Sequence, residues 1–356
     1  YFGYYFNKKL ILSYYLMDIL GYFPVPFETP PLSSILGGVI ICLALAWDFI
    51  YTRQAPSESK QDPSLITLDS YSRWRLTSVA GFLFTSSLLW YLFEARELPF
   101  FEIKLFEKSS RFFADLNVGS AIVSALLGGA GARLIGGGID TYGFYGLPRR
   151  FHRAIVSMAL ILVAGGLTNW FRSTFPHYFE RHNLYYDFSK NFDPRLTMLI
   201  PMILLVIGIK MEKENIKNVF FSFIIGCLLS LGVIVSGMSN RHEILHTLPL
   251  NKAWSPTLFY TGLGAFLCSV AVFKFVVKDY VLHREKWFSK KTDRKLVIGS
   301  ILYGLGIGIS GLTPGSGLAV TPAYLSQIGL FYLPFAAVGD AIALPLINYI
   351  LPPINI

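Results

Sequence analysis

Gly304-Leu-Gly-Ile-Gly-Ile-Ser-Gly-Leu-Thr-Pro-Gly-Ser-Gly317 breaks into an apolar run that begins at Leu296. A companion break lies in the first half of the chain. It reads Gly129-Ala-Gly-Ala-Arg-Leu-Ile-Gly-Gly-Gly138 and continues Ile139-Asp-Thr-Tyr-Gly-Phe-Tyr-Gly-Leu-Pro-Arg-Arg150. A helix in lipid keeps its backbone hydrogen bonds internal, so backbone that leaves the helix at membrane depth must be shielded by protein or face a polar cavity. Glycines alone would also let helices pack closely. These breaks additionally carry Pro314, Thr313, Asp140 and Thr141, which close packing does not require. Two such interruptions at matching places in two halves point to a transporter-type site near the membrane midplane.

The rest of the chain fits that setting. Hydrophobic residues make up 53% of the 356 positions and charged residues 15%, with a mean hydropathy of +0.50. Such a composition excludes an ordinary soluble enzyme and a disordered protein. The net charge of +9, from 31 basic and 22 acidic residues, is read as loops facing anionic headgroups. No nucleic-acid motif accompanies it, and the densest basic stretch, 278–295, fits a headgroup contact. Cys42, Cys227 and Cys268 each sit inside an apolar run, and no pair has metal or redox spacing.

The fold expected is an all-α polytopic membrane protein with about nine transmembrane helices and two re-entrant glycine-rich segments in an inverted repeat. The spans read as 33–51, 76–93, 118–134, 154–171, 196–209, 219–236, 257–277, 296–310 and 328–349. Several fall short of the roughly 20 residues that cross hydrocarbon unaided, which a re-entrant segment would complete after spans three and eight. The odd number of spans between the breaks puts them on opposite sides of the membrane. Gly119-Ser120 precedes the first and Gly299-Ser300 the second. Residues 1–32 read as an interfacial amphipathic segment, 33–210 as a first transmembrane half and 211–356 as a second. Residues 98–116, where Phe alternates with Lys, Glu and Arg, read as a helix lying on the membrane surface. His177 and His182 lack a third ligand at convincing spacing.

At the breaks the chain resembles the YeeE/YedE sulphur-transport family. The family's first motif is matched by Gly131-Ala132-Arg133-Leu134, then Gly136-Gly137-Gly138 and Gly146-Leu147-Pro148-Arg149. Its second is matched by Gly306-Ile307-Gly308-Ile309-Ser310-Gly311-Leu312-Thr313-Pro314-Gly315. A third match comprises Ser236-Gly237-Met238-Ser239-Asn240, Ile244-Leu245 and Ala253-Trp254-Ser255-Pro256. The resemblance implies passage of thiosulfate along pore cysteines. Here Ile139, Tyr145 and Thr313 stand where that family carries thiols, and Phe144 lies in the region of its histidine. The degenerate pore motif therefore consists of Arg133, Gly136, Gly137, Gly138, Ile139, Asp140, Tyr145, Ser310, Gly311, Thr313, Pro314 and Gly315.

Arg133 reads either as a pore charge or as a structural partner of Asp140. Asp340, inside the last span, reads as a structural carboxylate or as part of a proton path. No nucleophile elbow, P-loop or zinc-protease motif is present, so neither enzyme catalysis nor a cofactor is expected. With its thiols replaced, the chain is expected to serve as an accessory subunit among other membrane proteins and lipids, with the mitochondrial inner membrane as the guessed compartment. The alternative is a transporter of thiosulfate or a related small sulphur anion.

Overall fold

The computed structural model describes residues 29–52, 73–93, 97–98, 103–104, 116–147, 152–175, 178–179, 194–211, 216–248, 254–272, 274–275, 292–323 and 332–345. The chain is an all-α membrane protein. Its helices are α1 Pro31–Thr52, α2 Arg73–Phe93, α3 Val118–Ile135, the π-helical π1 Asp140–Gly146, α4 His152–Thr174, α5 Pro194–Met211, α6 Ile216–Val235, α7 Arg241–Thr247, α8 Thr257–Val272, α9 Arg294–Ser310, α10 Pro314–Val320 and α11 Leu333–Pro345. Among the described residues, five are long and apolar enough to cross a membrane, α9 being counted together with α10, and four shorter apolar helices accompany them. An 18-residue helix reaches about 27 Å, close to the hydrocarbon thickness.

Of the segment expected as a surface helix, positions 99–102 and 105–115 lie outside the described residues, and the described part near its start is extended. Ile103–Lys104 (β2) pairs antiparallel with Glu97–Leu98 (β1). Pro99 follows Leu98 in the sequence and biases it toward extended backbone, which the alternation of Phe with charged residues could not reveal. The proposed N-terminal segment lies outside the described residues up to position 28.

Lipid-compatible surface is abundant. Along α4, Val163, Leu167 and Trp170 are each about 60% exposed, whereas Arg153, Ala154, Ser157, Ile161, Ala164 and Gly165 face inward. Small and hydroxyl residues on the inner faces let backbones approach, as membrane helices without a water-driven hydrophobic effect require.

The packing falls into two groups. In one, α3 packs on α9, with α4 against α9 and α11 against α3. In the other, α1 packs on α6, with α8 against α1 and α2 against α6, and α5 lies on α2. Matching α1, α2, α3, π1 and α4 with α6, α8, α9, α10 and α11 maps each of these contacts of the matched helices onto another. It also maps π1 against α1, α4 and α8 onto α10 against α6, α11 and α2. The equivalent central helices run in opposite directions. A Cβ on Gly131 would meet Tyr303, one on Gly299 would meet Ile135, and one on Gly306 would meet Gly128 at 2.7 Å. Rising numbers on α3 therefore meet falling numbers on α9. Gly37 opposite Ser236 and Gly232 opposite Ile41 give the same sense for α1 and α6. By contrast α4 runs parallel to α9, through Arg153 to Asp293, Ser157 to Ser300 and Gly165 to Gly304. This is the pairing pattern of an inverted repeat, and it places the C-terminal ends of α3 and α9 at opposite ends of their shared interface.

Candidate functional site

Each break is built from its own residues. Gly136 ends α3 in the left-handed region (φ 77°), and its N–H donates to Ala132 O. Gly137 N–H donates to the same carbonyl. An L side chain at φ 77° would be strained, which explains glycine there. Gly138 O then accepts from Tyr142 N, so the chain re-enters a short helix within a few residues. The Tyr142 hydroxyl, fully buried, donates to Ile135 O at 2.6 Å and satisfies a carbonyl that the helix end leaves open.

The second break repeats the design. Gly311 closes α9 at φ 69°, donating to Ile307 O. The Ser310 hydroxyl donates to Gly306 O and accepts from Leu312 N. Pro314 opens α10, and Thr313 caps it. Thr313 Oγ1 accepts from Ser316 N at 3.0 Å, while Ser316 Oγ accepts from Thr313 N at 2.8 Å. This reciprocal cap absorbs both hydroxyls, so Thr313 is a backbone cap before it is a donor to any solute. Tyr332 OH donates to Leu312 O at 3.1 Å, as Tyr142 does at the first break.

The two breaks face one cavity of about 90 Å³. Gly137, Gly138, Ile139 and Phe144 line it from the first, and Thr313, Pro314, Gly315 and Ser316 from the second. Ile41 and Phe82, Leu229 and Val233, and Met238 and Tyr303 fill the walls, and Asp340 contributes a carboxylate. One water needs about 10–15 Å³ of such space, so the cavity suits several waters or a small solute. Ile139, Thr313 and Asp340 are 5%, 6% and 1% exposed, so these wall residues are buried.

Arg133 and Asp340 form an ion pair between α3 and α11, with NH1 to Oδ2 at 3.9 Å and both side chains buried. Arg133 faces the interior, and the partner seen is Asp340, which comes from the far end of the sequence. The side chains of Asp140 and Tyr145 lie outside the described residues. Of the motif residues, Gly137, Gly138, Ile139, Thr313, Pro314 and Gly315 reach the cavity, whereas Gly136, Ser310 and Gly311 shape the helix ends behind it.

Sequence reading missed three features. The stretch at Gly237 is a third left-handed helix end (φ 80°), after which Asn240 caps α7 by accepting from His242 N. Within α7, Arg241 is fully buried and its Nε donates to Ser310 O, while Arg172 NH1 donates to Ile309 O, so two guanidinium groups hold the open carbonyls of α9. Cations at a helix C-terminus are favourable. Glu243, also buried, accepts from the Ser255 and Thr257 hydroxyls and ties α7 to the start of α8. Finally, Cys42 and Cys268, distant in sequence, lie on the packed faces of α1 and α8, in and against one core cluster. Only the packing of α1 on α8 could have revealed that pair.

A family of unknown function, DUF6691, matches residues 217–346. A protein named "Probable transporter" from Xylella fastidiosa strain Temecula1 is 31% identical over 119 residues, which is 32% of this chain and 79% of that protein. Its counterpart from strain 9a5c, with the same name, is 31% identical over 119 residues and covered to 80%. No solved structure matches.

Proposed function

We propose, because this chain belongs to the family of the two Xylella fastidiosa probable transporters, that it is a membrane transporter whose solute path crosses between its two inverted halves. One observation carries the reading: breaks at opposite ends of the α3–α9 pair converge on a single cavity. In this account 136–148 and 311–321 are re-entrant segments that approach from opposite faces, and the nine apolar helices are spans. Access alternates when one half moves against the other around that fixed site. The protein acts by binding and release, without catalysis.

The cavity restricts the solute to a few non-hydrogen atoms. The resemblance to the YeeE/YedE family favours a small sulphur-containing anion, but the means of recognition differs from a thiol path. Ile139 offers no donor, and the hydroxyls of Thr313 and Ser316 are engaged in their cap. The polar groups left at the wall are the Gly137, Gly138 and Gly315 backbone, the Tyr303 side chain and the Asp340 carboxylate, which pairs with Arg133.

A second reading treats the chain as an accessory subunit of a larger membrane assembly, in the mitochondrial inner membrane or elsewhere. It is favoured by Ile139 in the wall, since an anion passing an apolar constriction loses hydration worth several kcal/mol. Purification of the full chain followed by uptake of labelled thiosulfate into proteoliposomes separates the two. Uptake by the chain alone supports transport. No uptake, together with stoichiometric co-purification of other membrane proteins, supports the accessory role.

A further inference from the structure

We propose that Cys42 and Cys268 form a reversible disulfide, making the contact between α1 and α8 an oxidant-sensitive modification site. The inference is independent of whether the chain transports a solute. The two thiols are 226 positions apart in sequence yet lie on the contacting faces of α1 and α8, Cys42 within a core cluster and Cys268 packed against it. Cys42 is buried and Cys268 only partly so.

The backbone geometry explains why they meet. One turn before Cys42, a Cβ on Gly38 would lie 2.0 Å from Thr261 O. One turn before Cys268, a Cβ on Gly264 would lie 2.1 Å from Ile35 O. Two glycines therefore bring α1 and α8 into backbone contact just where the cysteines follow. Bridging needs Cα atoms about 4.4–6.8 Å apart, and helices touching through glycine approach that range without rearrangement. Cys42 belongs to the same core cluster as Ile139 and Tyr142, against which Cys268 packs. The short helix π1 rests on both α1 and α8. A bond between the cysteines would join the two helices that brace the first break.

A small hydroperoxide that partitions into the membrane is the oxidant. The Cys268 sulphur, the more accessible, attacks one peroxide oxygen; an S–O bond forms, the O–O bond breaks, and water leaves when the peroxide is hydrogen peroxide. The Cys42 sulphur then attacks the sulfenic sulphur; the S–S bond forms, the S–O bond breaks, and the hydroxyl departs as a second water with the Cys42 proton. Two thiols and one hydrogen peroxide thus give one disulfide and two waters. A dithiol reductant reverses the step.

The test uses the full chain in native membranes, treated with hydrogen peroxide, quenched, denatured and alkylated. Its three cysteines are then counted and mapped by mass spectrometry. The expected result is loss of two alkylatable thiols per chain, recovery with dithiothreitol, and a peptide pair linking Cys42 to Cys268. Cys227→Ser should leave that pairing intact, whereas Cys42→Ser and Cys268→Ser should each abolish it. Bridges to Cys227, bridges only between chains, or conversion of the two cysteines to sulfinic acids without a bridge would overturn the proposal. So would three free thiols after exposure sufficient to oxidise a control dithiol.

Discussion

Removing one member of the Arg133–Asp340 pair should destabilise the protein far more than removing both. Two unit charges 3.9 Å apart attract by roughly 4 kcal/mol at an effective dielectric of 20. Asp340→Leu deletes that attraction and leaves a guanidinium buried between α3 and α11, where loss of one partner from a buried pair typically costs about 3–5 kcal/mol. Arg133→Met strands the carboxylate and should cost a comparable amount. The double variant, Arg133→Met with Asp340→Leu, places apolar groups of similar volume in the same space, and such replacements are often neutral or stabilising. The assay is reversible unfolding in mixed micelles, with all four proteins compared in one detergent. The expected coupling energy is about 3 kcal/mol or more, with the double variant within about 1 kcal/mol of the parent. Two single variants that each cost less than about 1 kcal/mol and add in the double would refute the argument. They would mean that water or lipid headgroups already solvate both charges.

Other expectations follow from the helix ends and the central interface. Thr313→Ala should lose the reciprocal cap with Ser316 and cost about 1–2 kcal/mol, whereas Thr313→Ser, which keeps the acceptor, should cost less than half of that in the same unfolding assay. Asn117→Ala removes the cap on Ser120 N and the bond to Tyr178 O; about 1–2 kcal/mol of stability should go with it. Gly306→Leu would drive a side chain into the Gly128 backbone at 2.7 Å. The α3–α9 interface cannot yield that space, so the variant should lose its monodisperse peak in size-exclusion chromatography. Gly262→Ala, with nothing near its Cβ, should retain the peak.

How much of this was readable from sequence depends on the range of the interactions. The left-handed turns at Gly136 and Gly311 announce themselves locally, because glycine after an apolar helix and proline at 314 are short-range signals. A shared site was expected from the matching places of the breaks in the two halves, and both line one cavity. Partners set by packing were not readable. Asp340, carried in by α11, pairs with Arg133, and nothing near Arg133 in the sequence announces it; the side chain of Asp140, the expected partner, lies outside the described residues. The α1–α8 contact that carries Cys42 and Cys268 likewise depends on glycines at 38 and 264 that sequence shows only as small residues. The cap at Thr313 was left unread although its signal is local, with Ser316 three positions on.

The account stands or falls on whether solute passes through the cavity. The direct measurement is blockage of uptake in proteoliposomes by a thiol reagent, in a background where Cys42, Cys227 and Cys268 are serine. Val233→Cys places a thiol in the cavity wall, and Val163→Cys places one on the outer face of α4, where Val163 is 60% exposed. Labelled thiosulfate uptake is followed before and after a small methanethiosulfonate reagent. The account predicts that modification at Val233→Cys abolishes uptake, that excess thiosulfate slows that modification, and that Val163→Cys is unaffected. Uptake that survives complete modification at Val233→Cys, or that falls equally at both sites, would contradict it.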